Sequence, residues 1–340
     1  MQQKPNVYRP KIAGIVIASV LLVMMVLLIV VSTFFIVFAD RFNQGNTPDD
    51  DQGTSAPAVT TTQAPQQTTA PDQAPVTEPE IIKPSYIEVD SALVGSGTVI
   101  RIDETHLYTR EGLINYRDLT ADSAEKLGLT VIPEASEYSR SNYNLYLTKD
   151  ACAAFQEMTK QLAADVGSAL HVRYAYYYQA GLTSIENLDD LEAFEHSTGL
   201  MLDLQCSDEK GGLYNLTHTK QKAYYQWLRE NCYKYGFIWV RDNNVYSTFR
   251  FVGVPHAAAM HKMGVETMTD YHAAIASYTF AGNYKVSDAH GNEWWIYYAA
   301  AEEGADTVKI AVIGDESNYQ ISGTNDGGLI IAINSTSFAG

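Results

Sequence analysis

The sequence predicts an α+β domain that follows a single N-terminal membrane-spanning helix. Three observations lead to this prediction: an uncharged apolar run over residues 12–39, mixed helix-like and strand-like segments over residues 85–278, and strand-like runs separated by turns over residues 279–340. The hydrophobic content of 46% and the aromatic content of 11% are typical of a globular protein.

The apolar run at residues 12–39 contains no charged side chain. A helix of this length spans roughly 40 Å, more than the ~30 Å hydrocarbon core of a bilayer. The run is also longer than the apolar region of a signal peptide, about 7–15 residues, so a cleavage site at residues 37–39 is the minor alternative. Basic residues precede the run and an aspartate follows it. The positive-inside rule therefore predicts a cytoplasmic segment at residues 1–11 and an extracytoplasmic position for the rest.

Residues 40–84 are rich in Thr, Pro, Gln and Ala and contain almost no large apolar side chain. Such a segment buries too little surface to offset chain entropy, so it predicts an extended linker that holds the folded part away from the membrane.

The formal net charge of -17 argues against a nucleic-acid partner. The chain has only three cysteines, Cys152, Cys206 and Cys232, which form neither a disulfide framework nor a C-x-x-C metal motif. A pair between Cys206 and Cys232 is permitted outside the cytoplasm but not implied.

Hydrophobic periodicity and turn residues give the elements of the folded region. A cap at Thr148 and a stop at Gly236 mark two helix ends. The predicted elements are a strand at 97–103, a helix at 150–164, a strand at 170–178, a helix at 219–235, strands at 237–240 and 246–252, a helix at 267–278, and several strands over 284–338.

The most informative stretch reads FEHSTGLMLDL, in which His196 and Asp203 flank a glycine-containing turn. Zinc takes imidazole nitrogen and carboxylate oxygen, and a turn followed by a strand can bring two such groups together. A solvated histidine beside an unrelated aspartate is the alternative, since such spacing also arises by chance.

This stretch resembles the S-x-H-x-x-G-x-A-x-D motif of the VanY-like zinc D,D-carboxypeptidases, with Phe194 in place of Ser and Met201 in place of Ala. The resemblance implies an antiparallel sheet with flanking helices, a β-rich C-terminal extension and a bound Zn²⁺. It covers roughly residues 95–335 and is also carried by segments 170–179, 227–231, 235–238, 249–257, 319–323 and 325–328.

In this family a His, an Asp and a second His hold the zinc, and a Glu acts as general base. Carried over, His196 and Asp203 match the first two ligands. Thr248 stands at the position of the second His, and Val245 at that of the Glu. A catalytic zinc site uses three protein ligands, and valine cannot move a proton, so the resemblance implies an incomplete site.

The resemblance also implies substrate-binding residues. Arg173 lies one position before the family arginine, whose place Tyr174 takes, and Gln179 and Arg250 match further motif positions. Successive strand residues face opposite sides of a sheet, so a shift of one residue need not preserve the role of an arginine.

Three hypotheses remain at this point. The first is a membrane-anchored, catalytically impaired D-Ala-D-Ala carboxypeptidase-like protein that binds peptidoglycan stem peptides or a cell-surface protein. The second is an active zinc D,D-carboxypeptidase with a rearranged site, for which His256 and Asp242 are candidate third ligands. The third is a structural cell-surface domain.

Overall fold

The computed structural model describes residues 83–336 and residue 338. In chain order its strands are β1 (Ser85–Asp90), β2 (Leu129–Val131), β3 (Tyr138–Arg140), β4 (Tyr146–Thr148), β5 (Leu170–Tyr174), β6 (Met201–Ser207), β7 (Leu213–Tyr214), β8 (Phe237–Asp242), β9 (Ser247–Phe251), β10 (Tyr284–Ser287), β11 (Glu293–Ala300), β12 (Thr307–Val312), β13 (Tyr319–Gly323) and β14 (Gly328–Asn334). Its α-helices are α1 (Ala121–Lys126), α2 (Lys149–Asp165), α3 (Leu188–His196), α4 (Lys222–Asn231), α5 (Val254–Met263) and α6 (Met268–Ile275).

The central sheet has the strand order β3-β5-β6-β9-β8, with β7 paired to β6. β3 runs parallel to β5, and the other neighbours are antiparallel. The alternation of side chains along β6 sends Leu202 and Leu204 into a core that also contains Phe155 of α2. Asp203 therefore faces the opposite side of the sheet, where the candidate site lies.

The C-terminal strands form a second sheet of order β10-β11-β14-β13, and β1 pairs with β12 in an antiparallel ribbon. Ile296 and Ile330 of this sheet share a buried core with Met260 of α5 and Tyr271 of α6. The first described strand thus pairs with a strand beyond residue 278, so a boundary at 278/279 divides segments that pack as neighbours.

Most of the elements predicted from sequence are present, with shifted ends. The helical run at 219–235 is continuous but has 3-10 geometry over Thr219–Gln221 and Cys232–Tyr235. The predicted strand at 97–103 is wrong, because this segment has no ladder of its own. Its backbone is held by single bonds to the C-terminal region, such as Arg101 N–H to the Thr324 carbonyl at 2.8 Å. Helices α1, α3 and α5 were not predicted.

The predicted membrane segment at 12–39 lies outside the described residues, as does the linker up to residue 82. No helix in the described part of the chain combines the length and the apolar character that a membrane span requires. Within the same part of the chain the thiols of Cys152, Cys206 and Cys232 are buried and unpaired.

Candidate metal centre and adjoining cleft

A helix–turn–strand unit brings the two predicted ligands together. Asn187 caps α3 by accepting a hydrogen bond from Asp190 N–H at 3.1 Å. The helix ends at His196, and Gly199, at φ +72°, turns the chain into β6. As a result, His196 Nε2 lies 3.4 Å from Asp203 Oδ2, with both side chains almost fully buried.

The imidazole of His196 is oriented by the backbone. Its Nδ1 donates to the carbonyl of Ala175 at 2.5 Å, because a carbonyl only accepts. Its Nε2 is buried and has no hydrogen-bond partner among the described residues. Two ligands of one tetrahedral zinc lie about 3.3 Å apart for bonds of about 2.0–2.1 Å, so the pair fits two corners of a zinc site.

The pair of His196 and Asp203 can bind a proton instead of a metal. Burial opposes the charged form of His196, but the carboxylate of Asp203 and hydrogen bonding outweigh it, so the pKa of His196 lies above its ordinary value. A protonated imidazole beside a carboxylate forms a buried ion pair without any further ligand.

Thr248 stands where the resemblance expects the third ligand. It lies directly opposite Asp203 in the β6–β9 ladder and is fully buried. Its hydroxyl donates to Asp203 Oδ1 at 2.8 Å. Proteins hold zinc with imidazole, thiolate or carboxylate groups. The neutral hydroxyl of Thr248 is none of these, and it donates its hydrogen bond to the carboxylate.

The other candidate ligands and the base position lie elsewhere. Val245 is 44% exposed in a turn, where its N–H bonds Asn243 Oδ1. The carboxylate of Asp242 accepts a hydrogen bond from Ser247. His256 is buried on α5 and its Nδ1 lies 2.8 Å from the hydroxyl of Tyr271. Within residues 83–336, no three His, Cys, Asp or Glu side chains are grouped to hold a metal. The residues present therefore fit two zinc ligands and not the set of a catalytic site.

A buried ion network adjoins the pair. Arg241, opposite Thr248 in the β8–β9 ladder, forms an ion pair with Glu195 and lies 3.6 Å from Glu192 through Nη1 and Oε1. Burial opposes its charge, but the two glutamates outweigh that effect and raise the pKa of Arg241. Arg241 thus balances the charges of the two glutamates on α3.

A cleft of about 330 Å³ opens beside this network. The ring of Tyr177 stacks on the ring of His196 with 4.6 Å between centroids, so Tyr177 separates the histidine from the cleft. His196, Asp203 and Thr248 are not among the residues that line it. The lining consists of four tyrosines, one amide and two acids: Tyr116, Tyr174, Tyr177, Tyr246, Gln179, Asp189 and Glu192.

The two candidate substrate-binding arginines have different surroundings. A β-bulge in the β5–β6 ladder, between Val172 and Tyr174, leaves Arg173 as the extra residue. Its guanidinium carbon lies 5.0 Å from the ring centroid of Tyr174 and 5.6 Å from that of Tyr246, at the border of the cleft. The structure does not bring Arg250 there.

Arg250 is buried beneath the site. Its Nη2 donates to the carbonyls of Ile100 at 2.7 Å and Thr98 at 3.2 Å, and burial lowers its pKa to about 10. In the structure Arg250 therefore ties the segment before α1 to the central sheet.

Several residues of the site were missed in the sequence. Glu192, Glu195 and His196 stand at positions i, i+3 and i+4 of α3, a spacing that places them on one helix face. That polar spacing was the available signal. Tyr246 and Arg241 carry no such signal, because their approach depends on the pairing of β8 with β9.

Comparisons with known proteins agree with the fold. No protein-family model matches the chain. The chain is similar to a D-alanyl-D-alanine carboxypeptidase of Enterococcus faecium, at 24% identity over 216 residues. The match covers 58% of this chain and 64% of that protein, so the chain spans less than two thirds of the relative's length.

Among solved structures, the chain is similar to the crystal structure of the vancomycin resistance D,D-dipeptidase VanXYg in complex with a D-Ala-D-Ala phosphinate analog. The TM-score is 0.51 at 18% identity, over 74% of this chain and 99% of that chain. The structure of the LdcB LD-carboxypeptidase gives a TM-score of 0.32 at 22% identity, over 43% of this chain and 77% of that one. The similarity to the D,D-dipeptidase structure confirms the predicted α+β fold of the D,D-peptidase type for the described residues.

Proposed function

We propose that this protein binds peptidoglycan stem peptides that end in D-Ala-D-Ala and does not hydrolyse them. The similarity to a D-alanyl-D-alanine carboxypeptidase and the D,D-dipeptidase fold support the ligand class. The loss of hydrolysis rests on one observation: Thr248 donates a hydrogen bond to Asp203 at the place where the resemblance expects a second imidazole.

The residues of the site support ligand binding more than they support hydrolysis. Zinc hydrolysis needs three protein ligands, an open position for water, and a base. Here the third position holds a hydroxyl, the base position holds the exposed Val245, and Tyr177 covers His196. The cleft, by contrast, offers phenol hydroxyls and the amide of Gln179 as hydrogen-bond partners, with the guanidinium of Arg173 at its border.

The test uses the full chain in detergent and the peptide Nα-acetyl-L-Lys-D-Ala-D-Ala. We expect saturable binding by calorimetry and no release of D-Ala when Zn²⁺ is supplied. Release of D-Ala that disappears in His196→Ala would show an active enzyme. Absence of binding would leave the structural cell-surface domain as the better account.

An active zinc D,D-carboxypeptidase with a rearranged site is the second candidate. The observation that favours it is the buried Nε2 of His196, which has no hydrogen-bond partner in the described part of the chain and lies 3.4 Å from Asp203. This candidate requires a third ligand to move in, and metal content decides between the two.

We further propose that residues 12–39 anchor the protein in the cell membrane with residues 1–11 in the cytoplasm, a linker over 40–84, and the domain outside. The supporting observation is the uncharged apolar run with basic residues before it. Protease added to intact cells should degrade a C-terminal tag and spare an N-terminal one. The opposite pattern would overturn the orientation.

A further inference from the structure

The cleft beside the half site combines aromatic faces with two carboxylates. Tyr116, Tyr174, Tyr177 and Tyr246 contribute rings, and Asp189 and Glu192 contribute carboxylates. Glu192 is only 4% exposed. Its Oε2 accepts the hydroxyl of Tyr246 at 2.9 Å, while its Oε1 has no hydrogen-bond partner among the described residues.

We propose that this cleft binds a primary ammonium group of the ligand, with the carboxylates of Glu192 and Asp189 as acceptors and the tyrosine rings as walls. The identification of the ligand as a stem peptide rests on the proposed function above. The ammonium itself rests on the cleft alone.

An ammonium satisfies every group that the cleft presents. It carries N–H donors for the carboxylates, and Arg241, the cation nearest to Glu192 Oε1, stays beyond hydrogen-bond distance at 3.6 Å. The faces of the tyrosine rings attract a cation through the ring quadrupole. A carboxylate or phosphate would be repelled by the two acids, and an uncharged sugar would stack on the rings without using their negative charge.

The charges around the cleft leave room for an added cation. Arg241 is shared between Glu195 and Glu192, and its closest approach to Glu192 Oε1 is 3.6 Å, longer than a hydrogen bond. Arg173 lies over the rings of Tyr174 and Tyr246 and is not part of the lining. The net charge of -17 favours the approach of cations.

The phenols stay neutral at physiological pH. Burial and the neighbouring carboxylate of Glu192 raise the pKa of Tyr177 far above its ordinary value. Burial together with Asp203 and Glu192 also raises the pKa of Tyr246. Both rings therefore keep an intact quadrupole and a hydroxyl that donates.

The test compares two peptides that differ only at the lysine side chain. Nα-acetyl-L-Lys-D-Ala-D-Ala keeps the ammonium, and Nα,Nε-diacetyl-L-Lys-D-Ala-D-Ala lacks it. We expect the full chain in detergent to bind the diacetyl peptide with a Kd at least about tenfold weaker, the factor that a hydrogen bond to a charged group supplies. Equal dissociation constants for the two peptides would overturn the inference.

Variants of the lining residues test whether the difference in Kd between the two peptides arises in the cleft. Glu192→Gln keeps an acceptor for Tyr246 but removes the charge, so the ratio of the two dissociation constants should fall to about one. Asp190→Asn is the matched control, because this aspartate lies on the same helix and its carboxylate accepts from Glu186 N–H at 3.0 Å. An unchanged ratio in Glu192→Gln, with native circular dichroism, contradicts the proposal. If that variant does not fold, Asp189→Asn gives the same readout.

A simple amine separates this inference from the proposed function. n-Pentylammonium should bind to the full chain and 1-pentanol should bind at least about tenfold more weakly, as followed by ligand-observed NMR. If n-pentylammonium binds and neither peptide does, the ammonium site stands and the stem-peptide function fails. If the amine and the alcohol bind equally, the ammonium site fails whatever the peptides do.

Discussion

Individual residues decide what the site can do, because their neighbours set their charge. His196 lies beside Asp203, and its pKa is raised despite complete burial. His256 is equally buried, but among the described residues its ring has a single hydrogen bond, to the hydroxyl of Tyr271, and burial lowers its pKa to about 3. The pKa of a buried histidine is thus raised at position 196, where a carboxylate lies beside the ring, and lowered at position 256, where no carboxylate of the described residues does.

The neutral state of His256 predicts a pH dependence of stability. Its pKa is about 6.5 unfolded and about 3 folded, so between these values only the unfolded chain takes up the proton. The free energy of unfolding should therefore fall as the pH falls, by on the order of 2 kcal/mol from this residue between pH 6 and pH 4. Urea unfolding at several pH values measures it.

His256→Gln should flatten this dependence, and His290→Gln should not, because His290 is exposed in a turn. The slopes are compared between variants, so that the opposing contribution of His196 cancels. Parallel curves for the wild type and His256→Gln would contradict the assigned pKa.

At the scale of elements, hydrophobic periodicity predicted the helices whose buried faces are set by the local sequence. Helix α2 and the helical run that ends at Gly236 follow their apolar spacing. Gly236 ends its run in the left-handed conformation as predicted, whereas Thr148 stands at the N-cap position of α2 without a side-chain capping hydrogen bond. The segment 97–103 failed because its apolar residues enter two different cores and not one face of a strand: Val99 packs with α5 and α6, and Ile100 packs with Phe194. The bulge at Arg173 depends on the partner strand and cannot be read from a single segment.

The end of the helical run gives a test of packing. Gly236 has φ +83°, and a Cβ there would lie 2.8 Å from the ring of Phe251 and 2.9 Å from the backbone of Gly253. Gly236→Ala should destabilise the fold by roughly 2–4 kcal/mol, from left-handed strain and a clash with backbone.

Gly264→Ala is the matched control. Gly264 ends α5 at φ +70°, but a Cβ at this position would have no heavy atom within 4 Å beyond its own helix and chain neighbours. Only the strain remains, about 1–2 kcal/mol. Denaturant unfolding of both variants checks this, and equal losses of stability would show that the close approach to Phe251 does not matter.

At the scale of the whole molecule, distant parts of the chain build one structure. Strand β1 pairs with β12, and Arg250 binds carbonyls before α1. The sequence was sufficient to predict the D,D-peptidase type of fold and the approach of His196 to Asp203. It could not reveal the tyrosine cleft, because Tyr116, Tyr177 and Tyr246 come from three separate segments that only the tertiary fold brings together.

The central proposal is that the half site does not form a zinc enzyme. The most direct measurement is the zinc content of the purified full chain after equilibration with buffered Zn²⁺, for the wild type and His196→Ala. We predict less than one bound zinc per chain and no difference between the two proteins, because Thr248 satisfies Asp203 and no third ligand is present among the described residues. One zinc per chain in the wild type that is lost in His196→Ala would contradict the account.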